Sequence, residues 1–459
     1  MNRLNAAVLF EVFVTSFTLI ACAPSTSAVP GSSEQNSAAL ASAEPSPCPP
    51  KVTVTDLGTL GGVNSGAAAV STSGEVFGFT DVAGSAESHV FSWTKRGGMV
   101  DLGKVGTLGG TYSEVRSVTP RGQIFGRSQL AGDTDISHAF LWTQMHGMVD
   151  LGTVGGDNSD AWGVTAQGQV VGWSSTPGNA NAHAFSWTHE DGMVDLGTLF
   201  GMGDSIARAV NARGEIAGSS AAPVPTGVWL HATLWRPCHS RACGASNGAV
   251  PGSPQQDSAG LGSAKTSPKF TILDLGTLGG GYSEAFAVNE SGQVVGLSYT
   301  TDNAELHGFS WTKAGGIVDL GTLGGTDSDA FLVNARGQVV GRSTLASGLR
   351  HAFLWTKEGG MVEIGTPSAD WVNPTALNDK GQVVGTYVPI PGTSRAFSWT
   401  RKGGFVDLGT LGGVDSGSGG VNARGQVVGG ASLPNGASHA TLWELKSTPC
   451  KHGDCEDDE

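Results

Sequence analysis

The sequence predicts an all-β protein, a β-propeller built of four-stranded antiparallel blades. Three observations predict it: a glycine-rich, weakly charged composition, a unit that recurs eight times, and a spare strand ahead of the array that matches the strand missing at its end. Of 459 residues, 71 are glycine and only 14% are charged. Glycine weakens helices and serves tight turns, so the composition excludes a helical protein and favours many short strands. The formal charge of -14 repels a phosphate backbone and excludes nucleic-acid binding through a basic patch.

Residues 1–22 read as an export segment, with Arg3 ahead of an apolar run at 12–20. That run falls short of the ~20 residues needed to span a bilayer. Leu19-Ile20-Ala21-Cys22 resembles the lipobox of bacterial lipoproteins, which implies cleavage before Cys22 and acylation of that residue. The resemblance, with Ala23 following, implies an exported lipoprotein of the outer membrane or cell surface, plain secretion being the alternative. Residues 23–50 are rich in Ser, Ala and Pro; they cannot build a core and serve as a tether.

The repeat has a period of about 45 residues. Its D-L-G motif, or a variant, begins at Asp56, Asp101, Asp150, Asp195, Asp274, Asp319, Glu363 and Asp407. V-N-x-x-G-Q-V-V-G recurs between them, as at 288–296, and so does H-A-F-x-W-T, as at 351–356. Alternation and turn signals divide each unit into strands A to D, placed in the fifth unit at 285–288, 293–296, 307–312 and 317–321. Four antiparallel strands in such a unit make a propeller blade. Tight turns join A to B and C to D, whereas a longer segment leads from D to the next A, so A is expected to line the axis. The stretches at 66–69, Ala207-Arg208-Ala209 and 417–420, read as small, agree with that place.

The last unit ends at Trp443 without a D strand, and residues 51–58 form a D strand with no blade of their own. Pairing the two closes the array and removes a free sheet edge. The Ser/Ala/Pro segment of 28–47 returns at 249–268, which marks a tandem duplication. Repeats 1–4 therefore occupy 51–238, a linker 239–269, repeats 5–8 270–450, and an acidic tail 451–459. One eight-bladed ring is favoured, with two four-bladed propellers in tandem as the alternative.

These motifs resemble the HAF-repeat family of probable extracellular bacterial proteins, through His138-Ala139-Phe140, His183-Ala184-Phe185, His351-Ala352-Phe353 and their flanking segments. The resemblance covers 51–445 and implies export without a settled activity. His89-Val90-Phe91, His307-Gly308-Phe309, Arg395-Ala396-Phe397 and the His-Ala-Thr copies at His231 and His439 depart from the tripeptide.

The seven strand-C histidines (His89, His138, His183, His231, His307, His351, His439) lie too far apart for one ion, since stacked sheets sit ~10 Å apart; a structural hydrogen-bonding role is expected. No metal or cofactor is implied. The strand-C tryptophans, Trp93, Trp142, Trp187, Trp235, Trp311, Trp355, Trp399 and Trp443, read as packing between blades. Cys238 with Cys243 and Cys450 with Cys455 are disulfide candidates, and Cys48 could exchange with either of the last two.

Outside strand C, Tyr112, Trp162, Trp173, Trp229, Tyr282, Tyr299, Trp371 and Tyr387 all map to the loop face shared by D-to-A and B-to-C connections. Such aromatics stack on sugars or anchor peptides. The expected function is a non-enzymatic cell-surface binding or adhesion module for a glycan or protein ligand, held to the membrane by its lipid and binding no nucleic acid. The alternatives are a propeller-type polysaccharide hydrolase or lyase, for which the irregular unit offers Glu363, Asp370 and Arg395, and a structural envelope protein. Replacing Cys22 by Ser is expected to move the protein from membrane pellets to the soluble fraction; unchanged sedimentation would exclude the lipid anchor.

Overall fold

The computed structural model describes residues 50–84, 88–225, 227–238, 269–366, 369–446, 450–451 and 454–455. Cys22, Cys48, Cys243, the tether and nearly all of the linker lie outside the described residues. Eight four-stranded antiparallel sheets follow one another along the chain, and no α-helix occurs among the described residues. Their A strands, which define blades 1 to 8, are Gly61–Val70, Gly109–Val118, Ser159–Val164, Ser205–Val210, Gly279–Val288, Gly324–Val333, Trp371–Leu377 and Ser416–Val421.

Blade 5 illustrates how the sequence forms a sheet. After strand A, the Asn289 carboxamide oxygen accepts the amides of Ser291 and Gln293, both at 3.0 Å, and closes the turn into strand B, Val294–Thr300. Gly292 takes φ +78° there, a left-handed conformation open to glycine at no steric cost. Strand C, Leu306–Thr312, turns into D, Gly316–Asp319, with the Thr312 hydroxyl accepting the Gly315 amide. In the D-L-G motif, Asp319 accepts the amide of Gly321 at 2.7 Å while Leu320 is buried. The motif is a strand stop.

Each blade buries its apolar side chains against its neighbours. Among the described residues there are eight hydrophobic clusters, each spanning one junction between neighbouring blades. The cluster between blades 4 and 5 joins Ala232, Leu234 and Leu275 to Ala285, Val294 and Phe309. The cluster of blades 8 and 1 joins Val428, Ala440 and Leu442 to Ala67, Val76 and Phe91. Six of the eight strand-C tryptophans are buried, Trp235 and Trp443 completely.

A polar clasp reinforces the junctions. In blades 1, 3, 4, 5 and 6 the strand-A serine accepts a strand-C amide of the preceding blade and donates to that blade's D-L-G glycine carbonyl. Ser283 accepts from Ala232 at 2.8 Å and donates to Gly276 at 2.6 Å; Ser65 does the same with Ala440 and Gly58. At the other end of the blades, Asn211, Asn289, Asn334, Asn378 and Asn422 each donate to a carbonyl of the following blade, the last to Ser71 of blade 1.

The D strands are exchanged between the halves. Lys51–Asp56 pairs antiparallel with strand C of blade 8, Trp443 facing Val54, and Lys269–Asp274 pairs with strand C of blade 4, Trp235 facing Ile272. Sheets meet in chain order from blade 1 to blade 8, and blade 8 meets blade 1. These are the pairings of the single-ring arrangement. A single cut within residues 244–266 is therefore expected to leave the halves together on a sizing column without denaturant. A monomeric, cooperatively folded fragment 270–459 would overturn it.

Candidate functional site

The recurring histidines are structural. Each Nδ1 faces the D-strand carboxylate of its own blade, at 3.0 Å for His89 and Asp101, 2.9 Å for His138 and Asp150, and 2.6 Å for His351 and Glu363. The pairs His183 with Asp195, His231 with Asp274, His307 with Asp319 and His439 with Asp56 repeat it at 2.9 Å. A histidine oriented by a carboxylate is also half of a hydrolytic triad. Among the described residues, however, none of the seven has a serine or threonine hydroxyl hydrogen-bonded to its Nε2; that of His307 meets Glu305 and that of His351 the Ala369 carbonyl. No group of three or more His, Cys, Asp or Glu side chains there could hold a metal ion. Glu363 and Arg395 are absorbed into the same pattern, Arg395 reaching Asp407 at 3.3 Å in place of the missing histidine.

The symmetry breaks on the innermost strands. Every A strand carries a register shift that sets one residue outside the pairing with strand B. Bulges of this kind re-aim a side chain. The bulged residues are Ala68, Arg116, Trp162, Arg208, Phe286, Phe331, Thr375 and Gly419. Strand A is thus not small all round, as its sequence in blades 1, 4 and 8 suggested, and Arg208 of blade 4, read there among small residues, is part of the exception. Where it is small there is a reason: a Cβ on Gly419 would lie 2.8 Å from the Ala67 carbonyl oxygen of the next blade. Blades 2 to 5 instead stack their bulged residues on one another. The guanidinium carbons of Arg116 and Arg208 lie 5.5 and 4.4 Å from the Trp162 ring centroid, and Arg208 lies 5.3 Å from Phe286. Such contacts are worth ~0.5–2 kcal/mol each, more where water is excluded.

Carboxylates on the same strands hold these cations. Arg116 bridges Glu114 at 2.7 Å and the buried Asp160 at 2.6 Å, and Glu114 also binds Arg127 of strand B at 2.7 Å. Arg208 pairs with the buried Glu284, whose other oxygen accepts the Tyr282 hydroxyl at 2.8 Å. Burial pushes the Asp160 carboxyl above its ordinary value, against the pull of Arg116. Burial and the Glu284 charge hold the Tyr282 hydroxyl protonated. The result is an arc of Arg, carboxylate and aromatic side chains over blades 2 to 5, continued in blade 6 by Arg342 on Asp329 and Phe331. Sequence reasoning missed the roles of Glu114, Arg116, Asp160, Arg208 and Glu284; comparing the repeats at the bulge and at the position two residues before it would have exposed them.

The eight aromatics expected on one face separate into several places. Tyr112 is 55% exposed and joins Trp173, Arg127 and Asp135 around a cleft of about 500 Å³ between blades 2 and 3. Trp229, Tyr282 and Tyr299 meet edge-on across blades 4 and 5, at centroid distances of 6.1 to 6.4 Å. Trp162 belongs to the inner stack, and Trp371 opens strand A of blade 7, half-buried. Tyr387 is not available to a ligand: it is buried, packs on Phe405, and donates to Asp407 at 3.0 Å. Burial and the Asp407 charge push its hydroxyl up to about 12. Cys238 is disulfide-bonded, and Cys450 and Cys455 face each other across a short two-stranded ladder.

No protein-family model and no curated protein matches the chain. Among solved structures it is similar to a prolyl endopeptidase, at 10% identity and a TM-score of 0.45, over 87% of this chain and 55% of the other. A puromycin-hydrolyzing peptidase of Mycobacterium tuberculosis matches at 11% identity and a TM-score of 0.40, over 87% and 55%. The β-propeller domain of the trilobed protease of Pyrococcus furiosus matches at 9% identity and a TM-score of 0.39, over 75% of this chain and 97% of that domain. The chain spans about half the length of the two peptidases. The likeness is one of fold; these structures belong to peptidases and a protease, where the sequence led to the expectation of a non-enzymatic cell-surface binding or adhesion propeller.

The histidine clasp makes a testable contribution to stability. Asp195 raises the pKa of His183 above 6.5, so the ion pair stabilises the fold fully below the unfolded value and its contribution disappears as pH rises through the folded one. Denaturant midpoints taken at about pH 5.5 and 8.5 should therefore differ less in His183→Gln than in the parent protein. An equal difference in both would remove His183 from the account.

Proposed function

We propose that the chain works in peptide turnover, as the substrate-holding propeller of an exported, HAF-repeat protein anchored through Cys22, with the inner arc of blades 2 to 5 as its working surface. The observation that carries this reading is the stack of Arg116, Trp162, Arg208 and Phe286 held over Glu114, Asp160 and Glu284. A polypeptide presents amide carbonyls, apolar side chains and charges of both signs, and the arc offers guanidinium donors, aromatic edges and carboxylates in alternation. The Arg116 and Glu114 side chains keep 31% and 26% of their surface exposed, so the arc is open to a ligand. A sugar ring would need a bare aromatic face, and Trp162 carries two guanidinium groups.

The test is binding of a fluorescently labelled, permanently unfolded polypeptide to the full chain, followed by anisotropy. Arg116→Met, paired with Asp160→Asn so that no buried carboxylate loses its partner, should weaken binding about tenfold, a loss of ~1.4 kcal/mol. Removing Arg208 alone would strand Glu284 in the interior, so the paired change Arg208→Met with Glu284→Gln serves as the second variant and should also weaken it. No binding by the parent protein, or equal binding by folded variants, would overturn the reading. New amino termini on the bound polypeptide would place the cleaving groups in this chain itself.

A further inference from the structure

The cleft between blades 2 and 3 combines features that no repeated role accounts for. Its walls bring Tyr112 and Arg127 from blade 2, Asp135 from the loop-side extension of that blade's strand C, and Trp173 from blade 3. Its volume of about 500 Å³ lies within the ~300–1,000 Å³ usual for small-ligand pockets. Arg127 spends Nε and Nη2 on Glu114, at 2.8 and 2.7 Å, and its side chain remains 39% exposed. Asp135 is exposed on the opposite charge. A cation and an anion on one cleft disfavour a simple anion or a simple cation and favour a ligand carrying both charges. Two aromatic walls add a place for an apolar side chain.

We propose that this cleft is a terminus-binding subsite for short peptides, Arg127 taking the free carboxylate, Asp135 the free ammonium, and Tyr112 and Trp173 the side chain between them. The proposal rests on the peptide reading of the inner arc, to which the cleft connects through Glu114, shared by Arg127 and Arg116.

Calorimetric titration of the full chain with the dipeptide Phe-Ala, its N-acetyl form, its C-terminal amide and the doubly capped form tests it, with maltose as a saccharide control. Phe-Ala should bind, and each cap should weaken binding about tenfold, since one charge-assisted contact is lost. Arg127→Gln should abolish the effect of amidation and spare that of acetylation; Asp135→Asn should do the reverse. The capped series needs no variant, so the outcome does not hang on the folding of either mutant. Equal binding of free and doubly capped dipeptide, or tighter binding of maltose, would overturn the subsite and leave the polypeptide reading intact. Binding of unfolded polypeptide without binding of Phe-Ala would do the same. Failure of both Phe-Ala and unfolded polypeptide to bind would sink both.

Discussion

A four-stranded sheet in this protein can bury its apolar face only against the next sheet, and the rest of the structure depends on that contact. Among the described residues the hydrophobic clusters number eight, each filled by residues of two blades. The fully buried Phe91, Phe140, Phe185, Phe309, Phe353 and Phe397 each contribute ~1.5–3 kcal/mol on removal from water. A blade at an open end would leave such a face wet and a strand edge unpaired. Pairing Lys51–Asp56 with the last strand C, and Lys269–Asp274 with that of blade 4, answers both demands with segments distant in sequence.

The most repeated polar residues serve this same contact. Histidine and D-L-G aspartate hold strand C to strand D within a blade, and the strand-A serine ties the result to its neighbour. A buried serine in such a position cannot be replaced cheaply, because loss of its hydroxyl leaves an amide and a carbonyl unsatisfied at ~1–3 kcal/mol each. Repetition therefore marks scaffold here. Where a blade departs from the motif the clasp is rebuilt, as blade 7 shows with Arg395 and Tyr387 both directed at Asp407.

Function has room where the scaffold makes no demand. The bulge on each inner strand releases one residue from the ladder, and that position ranges from Gly419, forced by close approach, to Trp162 and Arg208. Once Arg and carboxylate enter a partly buried rim they must be paired, since an isolated charge there would be costly. This explains why Arg116, Arg208 and Arg342 arrive with Asp160, Glu284 and Asp329.

By itself the sequence determined the class and the strand order within a blade, and it offered the exchanged D strands as one of two arrangements. These follow from local rules: alternation, turn residues and a period, read along one unit at a time. Tyr112 and Trp173 line one cleft, while Tyr387 is buried because blade 7 uses it for an aspartate that histidine serves elsewhere. Only the tertiary structure decided the inner arc. Arg116 and Asp160, or Arg208 and Glu284, lie 44 and 76 residues apart, and no local pattern couples them. Their contact exists because the packing of successive blades brings one bulged residue of each A strand beside the next, a juxtaposition set by whole sheets.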